Sequence, residues 1–251
     1  MKIAGFQKLT LLNYPEKVAA TIFTGGCNLR CPFCQNVDLV YNVDKIDNIE
    51  NKKIFEYLKE RKNQLEGVCI TGGEPLLNDD IDEFLYEIKN IGLSIKIDTN
   101  GYFPKNLDKI INKKLVDMVA MDIKSGFSNY DFVSGIKKGS YYIGNINDDI
   151  HNMYKKHIEE NKPKWIESIN IIMNSDINYE FRTTCVKNIH NRYDFYEIRE
   201  MIKNAKKYYL QNYHSNEQIK NLPYESFTNE ELALFMKIVE PMVDFIKIRE
   251  S

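Results

Sequence analysis

Hydrophobic positions along the chain fall into short β-branched runs separated by longer stretches of helical period, from Val18 to the carboxyl terminus. The runs VAATIF, GVCIT, LSIKID, VDMVAMDI, YEFRTTCV and KKYYLQNY read as strands. Between them the spacing predicts helices over 51–61, 81–90, 107–114, 193–204 and 229–239. In the first of these, Ile54, Phe55 and Leu58 form a three-four apolar stripe. Strands alternating with helices imply a parallel sheet built from βα units, an α/β barrel-like fold. Polar clusters end successive strands: TGGE after GVCI, DTNG after IKI, DIK after VAM and YH after YLQN. Each alone could simply start a turn. In a βα barrel, however, the carboxyl-terminal strand ends open onto one face, so the series is expected to form one site. The stretch 125–178 is less regular, with a weak helical pattern at 151–160 and a helix restart expected at Trp165, after Pro163. No repeat, low-complexity tract or Gly/Ser-rich linker divides the chain, and a single domain over 1–251 is expected.

Composition narrows the classes. With 43% hydrophobic and 28% charged residues among 251, the chain can bury one substantial core. A formal charge of −2 without a long basic block gives no sign of a nucleic-acid or anionic-membrane partner. The first residues, MKIAGFQKLTLLNYPEK, lack an apolar signal region, and no later run approaches a membrane span, so a soluble cytoplasmic protein is expected. Of the five cysteines, Cys27, Cys31 and Cys34 crowd into one loop, which suits metal ligation in a reducing compartment better than a disulfide framework. Cys69 and Cys185 sit in apolar strand runs and read as structural.

The loop CNLRCPFC places three thiols at i, i+4 and i+7 after the first of these strands. Structural zinc takes four ligands, and the histidines at 151, 157, 190 and 214 are remote in sequence, so a zinc knuckle would need its fourth ligand from elsewhere. A [4Fe–4S] cluster on three cysteines instead keeps one iron open to substrate or cofactor. This CxxxCxxC loop resembles the signature of the radical S-adenosylmethionine (SAM) superfamily. The resemblance implies a partial (β/α)6 TIM-like barrel of the radical SAM type. It also implies that the open iron chelates the amino and carboxyl groups of SAM, and that the reduced cluster cleaves SAM to methionine and a 5′-deoxyadenosyl radical. Phe33 matches the aromatic usual before the third cysteine and would shield the cluster, a position that ordinary packing could equally explain. At the end of the next strand, TGGEP brings two adjacent glycines, which permit close backbone approach, and a carboxylate able to accept from an ammonium group. The resemblance assigns Gly72, Gly73 and Glu74 to the SAM amino group.

The segment LLNYPEKVAATIFTGGCNLRCPFCQN, with DTNG, DIK, EFRTT and YLQNYH downstream, is similar to the glycyl-radical-enzyme activases. Within them it is most similar to the activating proteins of anaerobic ribonucleoside-triphosphate reductase, in the longer form similar to pyruvate formate-lyase activating enzyme. By that match Asp98 and Thr99 lie near SAM and, as in the formate-lyase activase, hold a monovalent cation. Asp122 and Lys124 lie beside the nucleoside and carboxylate, and Arg182 and His214 supply the remaining SAM contacts. Asp can accept from ribose hydroxyls, and Lys and Arg can pair with a carboxylate. The implied partners are anaerobic ribonucleotide reductase and a flavodoxin- or ferredoxin-type electron donor. Two positions depart from the pattern: Gln35 stands where many activases carry His, and Glu16 replaces a common Gly. The competing readings are a radical SAM enzyme acting on a small molecule, such as a 7-carboxy-7-deazaguanine synthase, and a non-catalytic metal module. The synthases usually carry Asp-Thr after the third cysteine, where this chain has Gln35-Asn36. The metal module leaves TGGEP and the polar strand ends unexplained.

Overall fold

A computed structural model describes residues 1–137, 144–145, 149–215, 219 and 222–249. Within the irregular stretch 125–178, residues 138–143 and 146–148 therefore lie outside the described residues. The elements run β1 Ile3–Thr10, β2 Ala19–Thr24, α1 Val37–Tyr41, α2 Asn51–Glu60, β3 Gly67–Gly72, α3 Ile81–Ile91, β4 Ser94–Thr99, α4 Pro104–Asn112 and β5 Met118–Asp122. They continue α5 Tyr130–Val133, α6 Ile150–Asn161, α7 Lys164–Met173, β6 Asn178–Cys185, α8 Arg192–Met201, β7 Tyr208–Asn212, α9 Asn229–Val239 and β8 Ile246–Arg249. Sheet order follows chain order from β1 to β8, the βα progression of a partial TIM-like barrel. The expected strands are β2 to β7; β1 and β8 are additions that the hydrophobic pattern does not announce. Contacts divide the chain into two compact units.

The first unit comprises Met1–Asn28, Asn36–Ala120 and Asn174–Asn178. Here β1 pairs antiparallel with β2, and β2, β3 and β4 pair in parallel, with Ala19 opposite Gly67 and Thr24 opposite Gly72. Ala19, Ala20, Ile22, Val68, Cys69 and Ile70 are all fully buried. Strands covered on both faces need continuous apolar runs, which is why the sequence shows runs and not alternation. On the helical side α2 buries Ile54 and Leu58, α3 buries Phe84, Leu85 and Ile88, and the Phe55 and Phe84 rings meet at 5.0 Å. Gly92 ends α3 in the left-handed region at φ 96°, a conformation glycine adopts without a Cβ penalty. Pro104 opens α4 earlier than the expected 107, because a first-turn proline gives up a backbone N–H that has no partner in the helix anyway.

The second unit comprises Leu29–Gln35, Met121–Met173 and Tyr179–Ser251. Strands β6, β7 and β8 pair in parallel. The short β8 is held by Arg249, which donates to both oxygens of buried Glu180 at 2.8 and 2.7 Å and lies 3.7 Å above the Tyr209 ring. Helices α8 and α9 each begin with a capping box, Asn191 with Asp194 and Thr228 with Glu231, and pack through stacked Phe195 and Phe235 rings at 4.2 Å. The restart at Trp165 is α7, whose indole stacks on Tyr130 at 3.9 Å. Among the described residues no helix is long and apolar enough to cross a membrane.

Candidate functional site

In the first unit, the turn after β3 folds onto the backbone that leads into the cysteine loop. Gly73 N–H donates to Thr24 O and Glu74 N–H to Gly26 O, both at 2.8 Å. A Cβ on Gly73 would stand 1.9 Å from Gly26 O, and one on Gly72, whose φ is 113°, 2.5 Å from Thr24 N. The closeness that the two glycines permit is therefore to the chain's own backbone at 24–26. Glu74, 1% exposed, accepts from Leu76 N–H at 3.1 Å, Thr99 Oγ1 at 2.8 Å and Asn100 N–H at 2.7 Å. Its carboxylate thus ties TGGEP to DTNG. Asn100 turns its amide Nδ2 toward Asn28 Oδ1 at 2.9 Å and Cys27 Sγ at 3.7 Å. Asp98 pairs with Lys96, an ammonium group buried within β4 that also lies 3.9 Å from Cys69 Sγ. Lys96 and Asn100 are not singled out by the sequence, in which β4 is an apolar run and the resemblance carries over only Asp98 and Thr99 of DTNG.

The second unit holds Cys31, Phe33 and Cys34. Cys34 N–H donates to Cys31 O at 3.1 Å, closing a turn, and Arg30 N–H donates to Ser134 O at 3.0 Å. Gly135, at φ 71°, lies so close that a Cβ there would stand 2.1 Å from Arg30 O. Phe33 is buried and meets the His190 ring edge-on at 6.0 Å. His190, also buried, donates from Nε2 to Lys124 O at 2.8 Å and accepts Val186 N–H on Nδ1 at 3.0 Å. Asp122 and Lys124 of DIK meet Arg182, which lies within β6. Arg182 reaches Asp122 Oδ1 through Nε and a terminal nitrogen, both at 2.9 Å, and Lys124 Nζ reaches Oδ2 at 3.0 Å. Burial alone would raise the Asp122 pKa, but the two cations and their bonds outweigh it and hold the carboxyl well below the usual range. His214 is exposed, and its carbonyl accepts from Gln35 Nε2 at 2.7 Å.

The segment following Lys124, unreadable in the sequence, docks on two carboxylates of α8. Asp194 accepts from Ser125 Oγ at 2.8 Å and Asn129 Nδ2 at 3.1 Å. Glu197 accepts from Ser128 N–H at 2.9 Å and Ser128 Oγ at 2.5 Å, and burial pushes its pKa up to about 7. Gly126 is required beneath them, since a Cβ would meet Glu197 Oε2 at 2.4 Å. The only signals for this clamp in the sequence are acidic residues on the buried stripe of a predicted helix.

None of the three loop cysteines is in a disulfide and all are partly exposed, whereas Cys69 and Cys185 are buried, and burial pushes the Cys185 thiol up. Among the described residues no three His, Cys, Asp or Glu side chains gather as the ligands of one metal ion. A cubane cluster takes each thiolate on a different iron, so its ligands need no common point. Three accessible thiols, one already facing an amide donor, fit such a cluster.

The family model of the radical SAM superfamily matches residues 21–217. A protein of Methanocaldococcus jannaschii bearing the provisional name glycyl-radical enzyme activating enzyme is 29% identical over 256 residues, covering 98% of this chain and 95% of its own. The 7-carboxy-7-deazaguanine synthase of Clostridium acetobutylicum is 34% identical over 116 residues, covering 45% of this chain and 51% of its own. Among solved structures, a radical SAM methyltransferase from Sphaerobacter thermophilus superposes with a TM-score of 0.69 at 12% identity, covering 97% of this chain and 68% of its own, a likeness of fold.

Proposed function

The chain belongs to the radical SAM superfamily, whose members use a [4Fe–4S] cluster and SAM, and we propose that it is a glycyl-radical-enzyme activase serving anaerobic ribonucleoside-triphosphate reductase. The observation that carries the activase reading is the full-length likeness to the Methanocaldococcus activating enzyme, against a match to the synthase confined to 45% of this chain. When bound, the cluster supplies the electron that splits SAM into methionine and a 5′-deoxyadenosyl radical. Cys27, Cys31 and Cys34 would hold it, and Phe33 would shield it. Gly72, Gly73 and Glu74 take the ammonium end of SAM, with Asp98 and Thr99 beside them; a monovalent cation at Asp98 belongs to the same reading. Lys124 and Arg182, both held on Asp122, are the cations suited to pair with SAM's carboxylate. His214 completes the set. The electron comes from a flavodoxin- or ferredoxin-type donor.

On this reading, the chemistry that the cluster and SAM would supply ends in removal of a hydrogen atom from a backbone glycine of the partner, which would leave a glycyl radical there and 5′-deoxyadenosine as the product. Glycine suits this role because both adjacent peptide groups stabilise the radical and its lack of a Cβ lets the loop enter. Mixing the reduced protein, SAM and the reductase anaerobically should give a glycyl-radical doublet in electron paramagnetic resonance, lost when the partner's glycine becomes Ala. SAM cleavage that requires a small metabolite, with no radical on the reductase, would hand the assignment to the small-molecule reading. Replacing any of Cys27, Cys31 and Cys34 by Ala should abolish iron loading, while Cys69→Ala should spare it.

A further inference from the structure

We propose that Asn100 sets the reduction potential of the cluster through an N–H···S hydrogen bond to Cys27. The inference rests on Cys27 being a cluster ligand, as proposed above, and goes beyond it. Asn100 is 5% exposed, and its Oδ1 accepts Tyr102 N–H at 3.0 Å. That bond fixes the amide's orientation, because a flipped group would present oxygen to the oxygen of Asn28 and the sulfur of Cys27. With Oδ1 so held, Nδ2 donates to Asn28 Oδ1 at 2.9 Å and to Cys27 Sγ at 3.7 Å. The backbone N–H of the same residue is bonded to Glu74 at 2.7 Å. The donor facing the sulfur is therefore fixed at the amide and at the backbone.

A ligating thiolate carries more negative charge when its cluster is reduced, so a fixed N–H donor stabilises the reduced form more than the oxidised one. Hydrogen bonds to the sulfurs are among the determinants of iron–sulfur potentials, and groups behind the ligands tune metal sites generally. Asn100 thus favours acceptance of the electron. It is a positioning and tuning residue, not a ligand.

The test is a redox titration of the reconstituted full-length protein without SAM, followed by electron paramagnetic resonance, on the parent and on Asn100→Ala, Asn100→Asp and Asn28→Ala. All should load iron. Asn100→Ala should lower the potential, cutting the reduced-to-oxidised ratio at fixed poise about tenfold, which is about 59 mV for one electron. Asn100→Asp keeps the shape and the bond to Tyr102 but sets a carboxylate oxygen against the sulfur, so it should shift further the same way. It also gives the answer if the Ala variant fails to fold. Asn28→Ala removes an oxygen that accepts from Asn100 and lies 4.0 Å from Cys27 Sγ but no donor to the sulfur, so it should not lower the potential. Pulsed electron–nuclear spectra of the parent should show an exchangeable proton coupled to the reduced cluster, absent in Asn100→Ala. An unchanged potential in Asn100→Ala and Asn100→Asp, or an equal shift in Asn28→Ala, would overturn the proposal. Iron retained by Cys27→Ala would instead strike the ligand assignment.

Discussion

The imidazole of His190 is bonded through Nε2 to the backbone carbonyl of Lys124, at 2.8 Å. Its other nitrogen accepts Val186 N–H, so the ring is held as the Nε2–H tautomer with neither nitrogen spare. The ring also meets Phe33, so one buried side chain touches both the cysteine loop and Lys124, two residues beyond β5.

His190→Leu should strand the Lys124 carbonyl and the Val186 N–H, costing about 1–3 kcal/mol for each group left unpaired. The expected readout is a lower urea midpoint together with weaker SAM binding in a spectral titration at unchanged iron content. Parent-like stability and affinity would show that the ring only fills space.

Glu197 makes stability depend on pH. Burial raises its folded pKa to about 7, above the ordinary 4.5 of a glutamate. A raised acid binds its proton more tightly when folded, so the stabilisation is full below about pH 4.5 and fades as pH climbs through 7. The full span amounts to roughly 3 kcal/mol. Melting temperatures should fall from pH 5 to pH 8, and Glu197→Gln, neutral throughout, should flatten that slope. An identical slope in the variant would place the titration elsewhere.

The elements legible in the sequence are those whose faces are buried uniformly. Runs such as GVCIT and LSIKID stand out because β3 and β4 are covered on both sides, and 229–239 is read to the residue because a capping box opens α9. Strand β1 hides because Gln7, Lys8 and Leu9 are exposed and its residues neither alternate nor run apolar; its position follows from antiparallel pairing with β2. The departure at Glu16 has a visible consequence: its φ is 65°, the left-handed region where glycine carries no penalty. The bonds of Glu74 to Thr99 and Asn100 join TGGE to DTNG, two of the polar strand ends, whereas Arg182, which pairs with Asp122, lies inside β6 and is pointed to only by the resemblance. Lys96, Asn100, His190 and Gly135 are not singled out: Lys96 sits inside an apolar run, Asn100 shares DTNG with the two residues that the resemblance carries over, and His190 and Gly135 act through partners distant in sequence, Lys124 and Arg30.

Lys96 offers a test inside β4. Its side chain is 2% exposed and pairs with Asp98, itself 15% exposed. Lys96→Met conserves length and apolar bulk but leaves the Asp98 carboxylate without this cation, and breaking a buried pair in this way costs about 3–5 kcal/mol. The double variant Lys96→Met/Asp98→Asn should recover part of the loss. Chemical denaturation of the three proteins checks this; a double variant no more stable than the single would mean that the pair is not the reason for the loss.

Gly135 carries the last prediction, because its backbone and its surroundings exclude a side chain independently. Its φ of 71° lies where an L-residue is strained, by roughly 1–2 kcal/mol. Its missing Cβ also leaves room for Arg30 O, which would otherwise stand at 2.1 Å, a backbone atom that cannot rotate away. Arg30 precedes Cys31, and its N–H is tied to Ser134 O at 3.0 Å, so relief of the clash must move the cysteine loop or break that bond. Gly135→Ala should therefore reconstitute with less iron per chain than the parent while retaining its circular dichroism, and should melt at a lower temperature. Gly92→Ala is the control, since its φ of 96° imposes comparable strain but nothing lies within 4 Å of the added Cβ. It should destabilise without lowering iron content. Equal iron loading in the two variants would show that backbone strain alone, and not contact with the cysteine loop, accounts for the glycine at 135.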